Sequence, residues 1–436
     1  MLKRSFQIKN FRWFVVGLIA LATAINYLDR QNLPVALSEI RKSFPIGDAE
    51  YGLINSLFLF AYGTMYAVGG RIIDLLGSRK GYALMIIWWS LANILHGVVS
   101  GLLGLGIARF LLGIGEGGAF PGSAKVVSEW FTSKERAFAF GIFNTGSSLG
   151  AVIAPPMIAL IITVLNWRWT FFITGLIGLI WVLGWLKLYT TPAESKYISE
   201  EEKDLILSGL KKESVAEKSD ELQMPWQSLF RYRKLWGILS IKFLADAGWF
   251  FFIFWLPKYL NDVRGLDIKG IGAYAWIPYA VAGAGSLTGG WFSSFLLKRN
   301  LSLDISRKIP LGIAAAMLPA SLLITGASLN MAIVFFSIAM CGHQLYSTIV
   351  QTLVVDMFPS KVVGSVSGLM GCAATYGAML FSLVIGFVIQ KYGYAPAFFT
   401  AGILHPLSYI LLFIIIKKIE PVHILSSPIL INTVSA

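Results

Sequence analysis

The chain has 436 residues, of which 56% are hydrophobic and 14% charged, and its mean hydropathy is +0.69. Soluble domains carry about 25% charged residues, so this composition excludes an ordinary soluble fold and points to a polytopic helical membrane protein. The formal net charge of +13 does not point to nucleic acid, because the basic residues sit at the ends of apolar runs, where membrane topology requires them.

Twelve apolar runs of spanning length occur, at about 12–33, 51–73, 82–100, 102–124, 138–162, 168–188, 236–260, 271–297, 308–328, 331–357, 364–390 and 396–416. The first lacks a small-residue cleavage site and reads as a retained span. Lys3, Arg4, Lys9 and Arg12 precede it. Arg79 and Lys80 follow the second span, Lys134 and Arg136 the fourth, Lys298, Arg299, Arg307 and Lys308 the eighth, and Lys417 and Lys418 the twelfth. The alternate loops are poorer in charge. The positive-inside rule therefore places both termini in the cytoplasm.

The fourth span, Leu102 to Gly122, carries Arg109 and Glu116, where lipid tolerates neither. A charge at the bilayer centre costs about 3 kcal/mol or more, so such residues face a protein interior or a watery path. Seven residues make almost two helical turns, so both point the same way, about 10 Å apart along the axis. They mark a polar cavity within the bundle. Asp29 and Arg30, near the end of the first span, read either as a surface ion pair or as further residues of that cavity. Arg109 and Asp29 form either a proton-linked pair or a permanent structural one. Glu116 has no partner nearby in sequence, and a neutral Glu116 would suit a proton carrier.

Residues 189–235 are polar and hold no spanning run. Nine of the 23 carboxylates lie between Glu194 and Glu221. Ser199 followed by Glu202 fits a capping box, opening a short surface helix to about Lys212. This segment divides the chain into residues 1–188 with six spans, a linker at 189–235, residues 236–420 with six more, and a tail at 421–436 too broken to span. An internal repeat supports the division. Glu129 to Gly141 (EWFTSKERAFAFG) can be laid on Asp356 to Gly368 (DMFPSKVVGSVSG), and the same offset of 227 places Phe171, Phe172 and Gly175 on Phe398, Phe399 and Gly402. Parallel six-helix repeats suit rocking about a midplane site.

Gly70, Asp74, Gly77, Arg79 and Lys80, in the run GRIIDLLGSRK, resemble the cytoplasmic loop signature of the major facilitator superfamily. The second-half counterpart, Gly289 to Arg299, lacks the aspartate. Within the superfamily, the runs Asn26 to Arg30, Gly115 to Gly117 with Phe120 and Pro121, Phe143 to Gly146, and Phe254 to Pro257 resemble the anion:cation symporters, most of all bacterial hexuronate and sugar-acid transporters. So do Trp130 and Phe131 with Glu135 and Arg136. The resemblance implies an all-α fold of twelve transmembrane helices in two halves, in the cell inner membrane. It implies proton-coupled symport of a small organic anion such as a hexuronate or aldonate. Phosphate, a sialic acid, an aromatic acid or a tricarboxylate, and sodium coupling, remain open. A membrane enzyme would need a nucleophile–base set; Gly146 to Gly150 (GSSLG) has the G-x-S-x-G spacing but lies inside a spanning run rather than at a strand-to-helix turn, and no H-E-x-x-H run is present. No cofactor, metal site or nucleic-acid partner is expected. Cys341 and Cys372 lie in apolar runs, and a monomer in the bilayer is expected.

The resemblance implies that Arg30 binds the substrate carboxylate, which its planar fork of donors suits, and that Tyr62 is a binding hydroxyl, against the alternative of a core aromatic. Asn144 and Ser147 share a helical face and read as sugar-hydroxyl ligands or as interhelical glue. Trp249 is a candidate stacking surface. Gln344, beside His343, and Thr375 are candidates for a polar wall, with His343 ranked below Glu116 as a proton carrier. Lys242 and Asp246, four apart, read as a self-neutralising pair. Asp29, Arg109 and Glu116 form the proton-coupling set. Gly70, Asp74, Gly77, Arg79 and Arg136 form the cytoplasmic gate set that the family reading makes a conformational lock. Asp74→Asn should therefore leave substrate binding intact and slow transport. Binding and initial uptake rates measured side by side test this, and an unchanged rate refutes it.

Overall fold

The structure is a computed structural model that describes residues 9–219 and 226–422. Lys3, Arg4 and most of the 421–436 tail lie outside the described residues. The described chain is helical from end to end. The N-terminal half comprises α1 (Phe11–Ile40), α2 (Asp48–Leu76), α3 (Ser78–His96), α4 (Leu102–Gly117) continued by α5 (Ala119–Trp130), α6 (Ser133–Val164) and α7 (Trp167–Leu188). The C-terminal half comprises α9 (Arg233–Asp262), α10 (Ile268–Tyr274) continued by α11 (Trp276–Lys298), α12 (Leu303–Met317) with a 3-10 turn, α13 (Leu329–Met357), α14 (Ser360–Tyr392) and α15 (Tyr394–Leu411). Nine helical spans among the described residues are long and apolar enough to cross a bilayer by themselves. Helix α3, which opens on Ser78, Arg79 and Lys80, and the two broken pieces α10–α11 and α12 with its turn complete the twelve.

Helix α8 (Glu200–Ser219) lies between the halves in sequence and runs about two turns beyond the expected end near Lys212. Only part of the expected capping box forms. The Glu202 N–H donates to Ser199 Oγ at 3.3 Å, but the Glu202 carboxylate turns to α1 instead. It accepts from the Phe11 N–H at 3.0 Å and from Arg12 Nη1 at 2.9 Å. The first N–H groups of a helix have no partner within it, and an anion there also meets the favourable end of the helix dipole. The linker helix thus caps the first span.

The two halves meet along α2 against α14, α6 against α10 and α11, and α1 against α9. On the face remote from α8 they are joined by ions. Arg41 pairs with Asp48 at 3.1 Å and, across the halves, with Asp262 at 3.1 Å. Lys258 pairs with Asp262 of its own helix and with Asp48 across the halves. Tyr394 donates to Asp262 at 2.9 Å, and Tyr51 donates to the Phe254 carbonyl at 2.6 Å. Among the described residues, the ion pairs that cross between halves all lie on this face. Helices α2 and α14 stay in contact as far as Tyr66 and Gly371. Beyond that level, toward the α8 face, Gly364 and Ser365 of α14 are exposed. The bundle is closed on the remote face.

A partly exposed ion pair contributes about 1 kcal/mol or less, and 1 kcal/mol is a factor of about five in a population. Asp262→Asn removes one cross-half pair, so it should open the remote face measurably. With Cys341 and Cys372 replaced by serine, thiol labelling in detergent of a Ser38→Cys probe, which lines the cleft beside this cluster, should quicken about fivefold. An unchanged labelling rate would mean that the cluster does not hold the face shut.

Candidate functional site

The site is organised by how closely α4 approaches α2. At Gly113 an added Cβ would meet the Phe58 carbonyl at 2.4 Å, and at Gly117 it would meet the Tyr62 carbonyl at 2.5 Å. Any side chain there would hold the backbones apart. With glycine at both positions, α4 lies against α2 and presents Glu116, between them in sequence, to α1.

Glu116 is fully buried, as is Arg30 at 2% exposure. Both Arg30 Nε and Nη2 donate to Glu116 Oε2, at 3.0 and 2.9 Å. Arg30 Nη2 also donates to Asn26 Oδ1 at 3.1 Å, one turn back on α1. The guanidinium lies over the rings of Tyr27 at 4.7 Å and Tyr62 at 4.9 Å, with Phe58 and Phe250 beyond. Cations over aromatic faces are stabilised further where water is excluded. Glu116 Oε1 has no hydrogen-bond partner. The partner of Glu116 is therefore Arg30, three helices away in the chain rather than nearby in sequence. Sequence spacing along α4 shows only what shares that helix.

Asp29 points elsewhere. Adjacent helical residues differ by about 100° around the axis, and Asp29 faces α3 and α7. It accepts from Asn93 Nδ2 at 2.7 Å. That amide also lies 2.7 Å from Thr174 Oγ1, which accepts from Asn32 at 2.7 Å as well. Arg109 does not form an ion pair with Asp29. Its Nη2 donates to the Arg30 carbonyl at 3.1 Å, its guanidinium lies 4.6 Å from the Phe58 ring, and its Nε and Nη1 have no partner. Neither the proton-linked nor the permanent Arg109–Asp29 pair is formed in this conformation. What joins Arg109 to α1 is a hydrogen bond to the backbone at the very residue that holds Glu116.

Beside this cluster a narrow cleft, about 10 Å³ in this conformation, opens between the halves. Tyr27, Ser147 and Ser148 line it from one half, and Trp249, Tyr279 and Gln344 from the other. Ser147, Trp249 and Gln344 thus come together as one wall set, and Tyr62 reaches the same place through Arg30. Tyr27 lies within the Asn26 to Arg30 run but is given no role of its own by it, and nothing in the sequence separates Ser148 and Tyr279 from core residues. Two candidates lie off the cleft. Thr375 is buried at the α2–α14 contact, against Gly63, and donates to the Gly371 carbonyl at 2.8 Å. Asn144 is exposed, and its backbone carbonyl accepts from Ser147 Oγ at 2.7 Å. Lys242 pairs with Asp246 at 2.8 Å and donates to Ser347 at 3.1 Å.

The gate set lies at the α8 face. Gly77 adopts φ +77°, a turn that an L side chain resists. Asp74 pairs with Lys125 at 3.0 Å. Arg79 donates to the Leu186 carbonyl, and Arg136 to the Phe131 carbonyl at 3.2 Å. Gly70 packs against Pro121.

The family model of the Major Facilitator Superfamily matches residues 19–374. The chain is 31% identical over 415 residues to the hexuronate transporter of Escherichia coli (strain K12), covering 94% of this chain and 95% of that one. It is 32% identical over 424 residues to the D-galactonate transporter of Escherichia coli O6:H1 (strain CFT073), covering 94% and 97%. Among solved structures, the inward open conformation of the xylose transporter XylE from E. coli is similar with a TM-score of 0.73 at 12% identity, covering 93% of this chain and 97% of that one. That likeness concerns the fold.

The packing account of α4 predicts a contrast between two glycines. Gly117→Ala forces a methyl against backbone, and overpacking of that kind costs about 1–3 kcal/mol. Gly184→Ala on α7 meets nothing within 4 Å and should be neutral or slightly stabilising. Thermal unfolding in detergent should show a lower midpoint for Gly117→Ala alone. Equal midpoints would contradict the close approach of α4 and α2.

Proposed function

Because the chain belongs to the major facilitator superfamily, we propose that it is a secondary transporter that carries a small organic anion of the sugar-acid class across the cytoplasmic membrane together with protons. The observation that carries this reading is the Arg30–Glu116 pair, buried in mid-bundle beside a cleft shared by both halves. The relatives named for hexuronate and D-galactonate transport support the substrate class. Among the described residues, the ion pairs between the halves lie on the remote face, which supports alternating access.

The coupling follows from competition for one cation. Arg30 offers Nε and Nη2 in a fork, and Glu116 uses both with a single oxygen. A substrate carboxylate needs the same donors, and a bidentate carboxylate–guanidinium contact is the stronger arrangement. When substrate takes Arg30, Glu116 loses its cation. A buried carboxylate without a partner is far more costly charged than protonated. Anion binding and proton uptake therefore favour each other, and neither leaves a net charge stranded in the apolar bundle. Asp29, held by Asn93 among neutral side chains, is a second proton position. Arg109 keeps a fixed positive charge behind both.

Uptake of radiolabelled glucuronate and galacturonate into proteoliposomes under an imposed inward proton gradient tests this. Wild type should accumulate substrate, and an uncoupler should abolish the accumulation. Arg30→Ala should lower uptake about a hundredfold, the scale of a lost charge-assisted contact. Glu116→Gln should keep exchange and lose accumulation. Sodium-driven accumulation that survives the uncoupler would overturn the proton assignment, and no uptake of either sugar acid would overturn the substrate class.

A further inference from the structure

The C-terminal half contains two buried histidines that the mechanism above does not use. His343 on α13 and His405 on α15 are 2% and 0% exposed. His343 Nδ1 and His405 Nε2 are 3.0 Å apart, with the rings nearly perpendicular at 83°. Such a contact needs one N–H and one lone pair, so each ring fixes the orientation of the other. His405 is braced in turn by the Tyr346 ring at 5.2 Å and 78°, and Ser408 ties the Tyr346 hydroxyl to the His405 carbonyl. Lys242 stands near both rings and is itself neutralised by Asp246.

The other ring against His343 is Trp249, which lines the cleft. The imidazole and indole are parallel within 9°, with centroids 4.8 Å apart. One face of the indole is thereby covered; Trp249 is 7% exposed in this conformation, and a ligand entering the cleft would have to use the opposite face. A tryptophan that must choose a rotamer when substrate arrives gives up part of the contact energy to ordering, whereas one already seated does not.

We propose that His343, locked by His405, is a positioning residue that seats Trp249 as a flat platform and so selects ring-form sugar acids over open-chain ones. This rests on the sugar-acid reading of the cleft and goes further within it. The pyranose ring of a hexuronate has a flat C–H face that can cover the indole while its carboxylate engages Arg30. An open-chain aldonate has no such face and gains nothing from a fixed plate. Histidine at 343 does two things at once: its ring stacks, and its nitrogen is held by a neighbour.

The test is concentration-dependent uptake of glucuronate and of galactonate by the full-length protein in proteoliposomes, compared as the ratio of their KM values. Wild type should favour glucuronate. His343→Ala should reduce that preference about three- to tenfold, the scale of a well-placed aromatic contact, through KM rather than through the maximal rate. His343→Phe restores a ring to stack and should recover most of the preference. His405→Ala should lose part of it. If His343→Ala does not fold, the contrast between His343→Phe and His405→Ala still decides. A wild type that transports both acids without preference, or variants that shift both KM values equally, would overturn the platform and leave the sugar-acid reading standing. A wild type that transports neither acid would overturn that reading and the platform with it.

Discussion

A guanidinium in the middle of an apolar bundle is tolerated only with a partner, and removing one member of a buried pair costs about 3–5 kcal/mol. Arg30 and Glu116 meet this constraint for each other, and much of the N-terminal half is shaped by it. The glycines of α4 exist in a pattern that lets Glu116 come within reach of α1. Asn26 accepts a further hydrogen bond from Arg30 Nη2, and Tyr27 and Tyr62 cover the faces of the guanidinium. Arg109 then fixes the α1 backbone at the Arg30 carbonyl. In the proposed cycle a pair held this firmly would give way only to another carboxylate on Arg30 or to a proton on Glu116.

The same logic, at lower strength, appears on the face remote from α8. Each half brings one cation and one anion there. Arg41 and Asp48 belong to the N-terminal half, and Lys258 and Asp262 to the C-terminal half. When the halves separate, the cross-half contacts break, but each half keeps a neutral pair of its own. In the proposed alternation, opening would therefore strand no unpaired ion on this face. Pro34 of α1 and Pro257 of α9 line the same cleft. A proline inside a helix removes a backbone hydrogen bond and loosens it locally, at the level where the halves would move.

The architecture was legible in the sequence because membranes impose coarse rules. Span length, the placement of lysine and arginine, and the constant offset of 227 between Glu129 and Asp356 needed no knowledge of side-chain packing. Arg109 and Glu116 stood out because their helix should not carry charge. What could not be read was which charge meets which. Asp29 and Arg30 are neighbours in sequence, yet their helix sends one to α3 and α7 and the other to α4. Thr375 looked like a cleft residue but sits in the α2–α14 seam, since along α14 the periodicity alone does not say which face meets the other half. The histidines were a harder case. His343 drew attention as a lone titratable group, and its partner lies 62 positions further on, where no spacing rule reaches.

Burial without hydrogen-bond partners divides the polar groups of the bundle into two kinds. Asn93, Thr174 and the amide nitrogen of Asn32 are hydrogen-bonded to one another around Asp29. Glu116 Oε1, Asp29 Oδ2 and the Nε and Nη1 of Arg109 are left without partners. An unsatisfied buried group costs about 1–3 kcal/mol, and structures keep such groups where another state of the molecule satisfies them. The carboxylate oxygens can each accept a proton, and a charge-neutral arrangement then needs Arg109 to turn toward whichever carboxylate remains ionised. Its one hydrogen bond, to a main-chain carbonyl, leaves the rest of the guanidinium free to do so. In the proposed cycle the free oxygens of Glu116 and Asp29 are where a proton would add, while Arg109 keeps its charge and would only reorient.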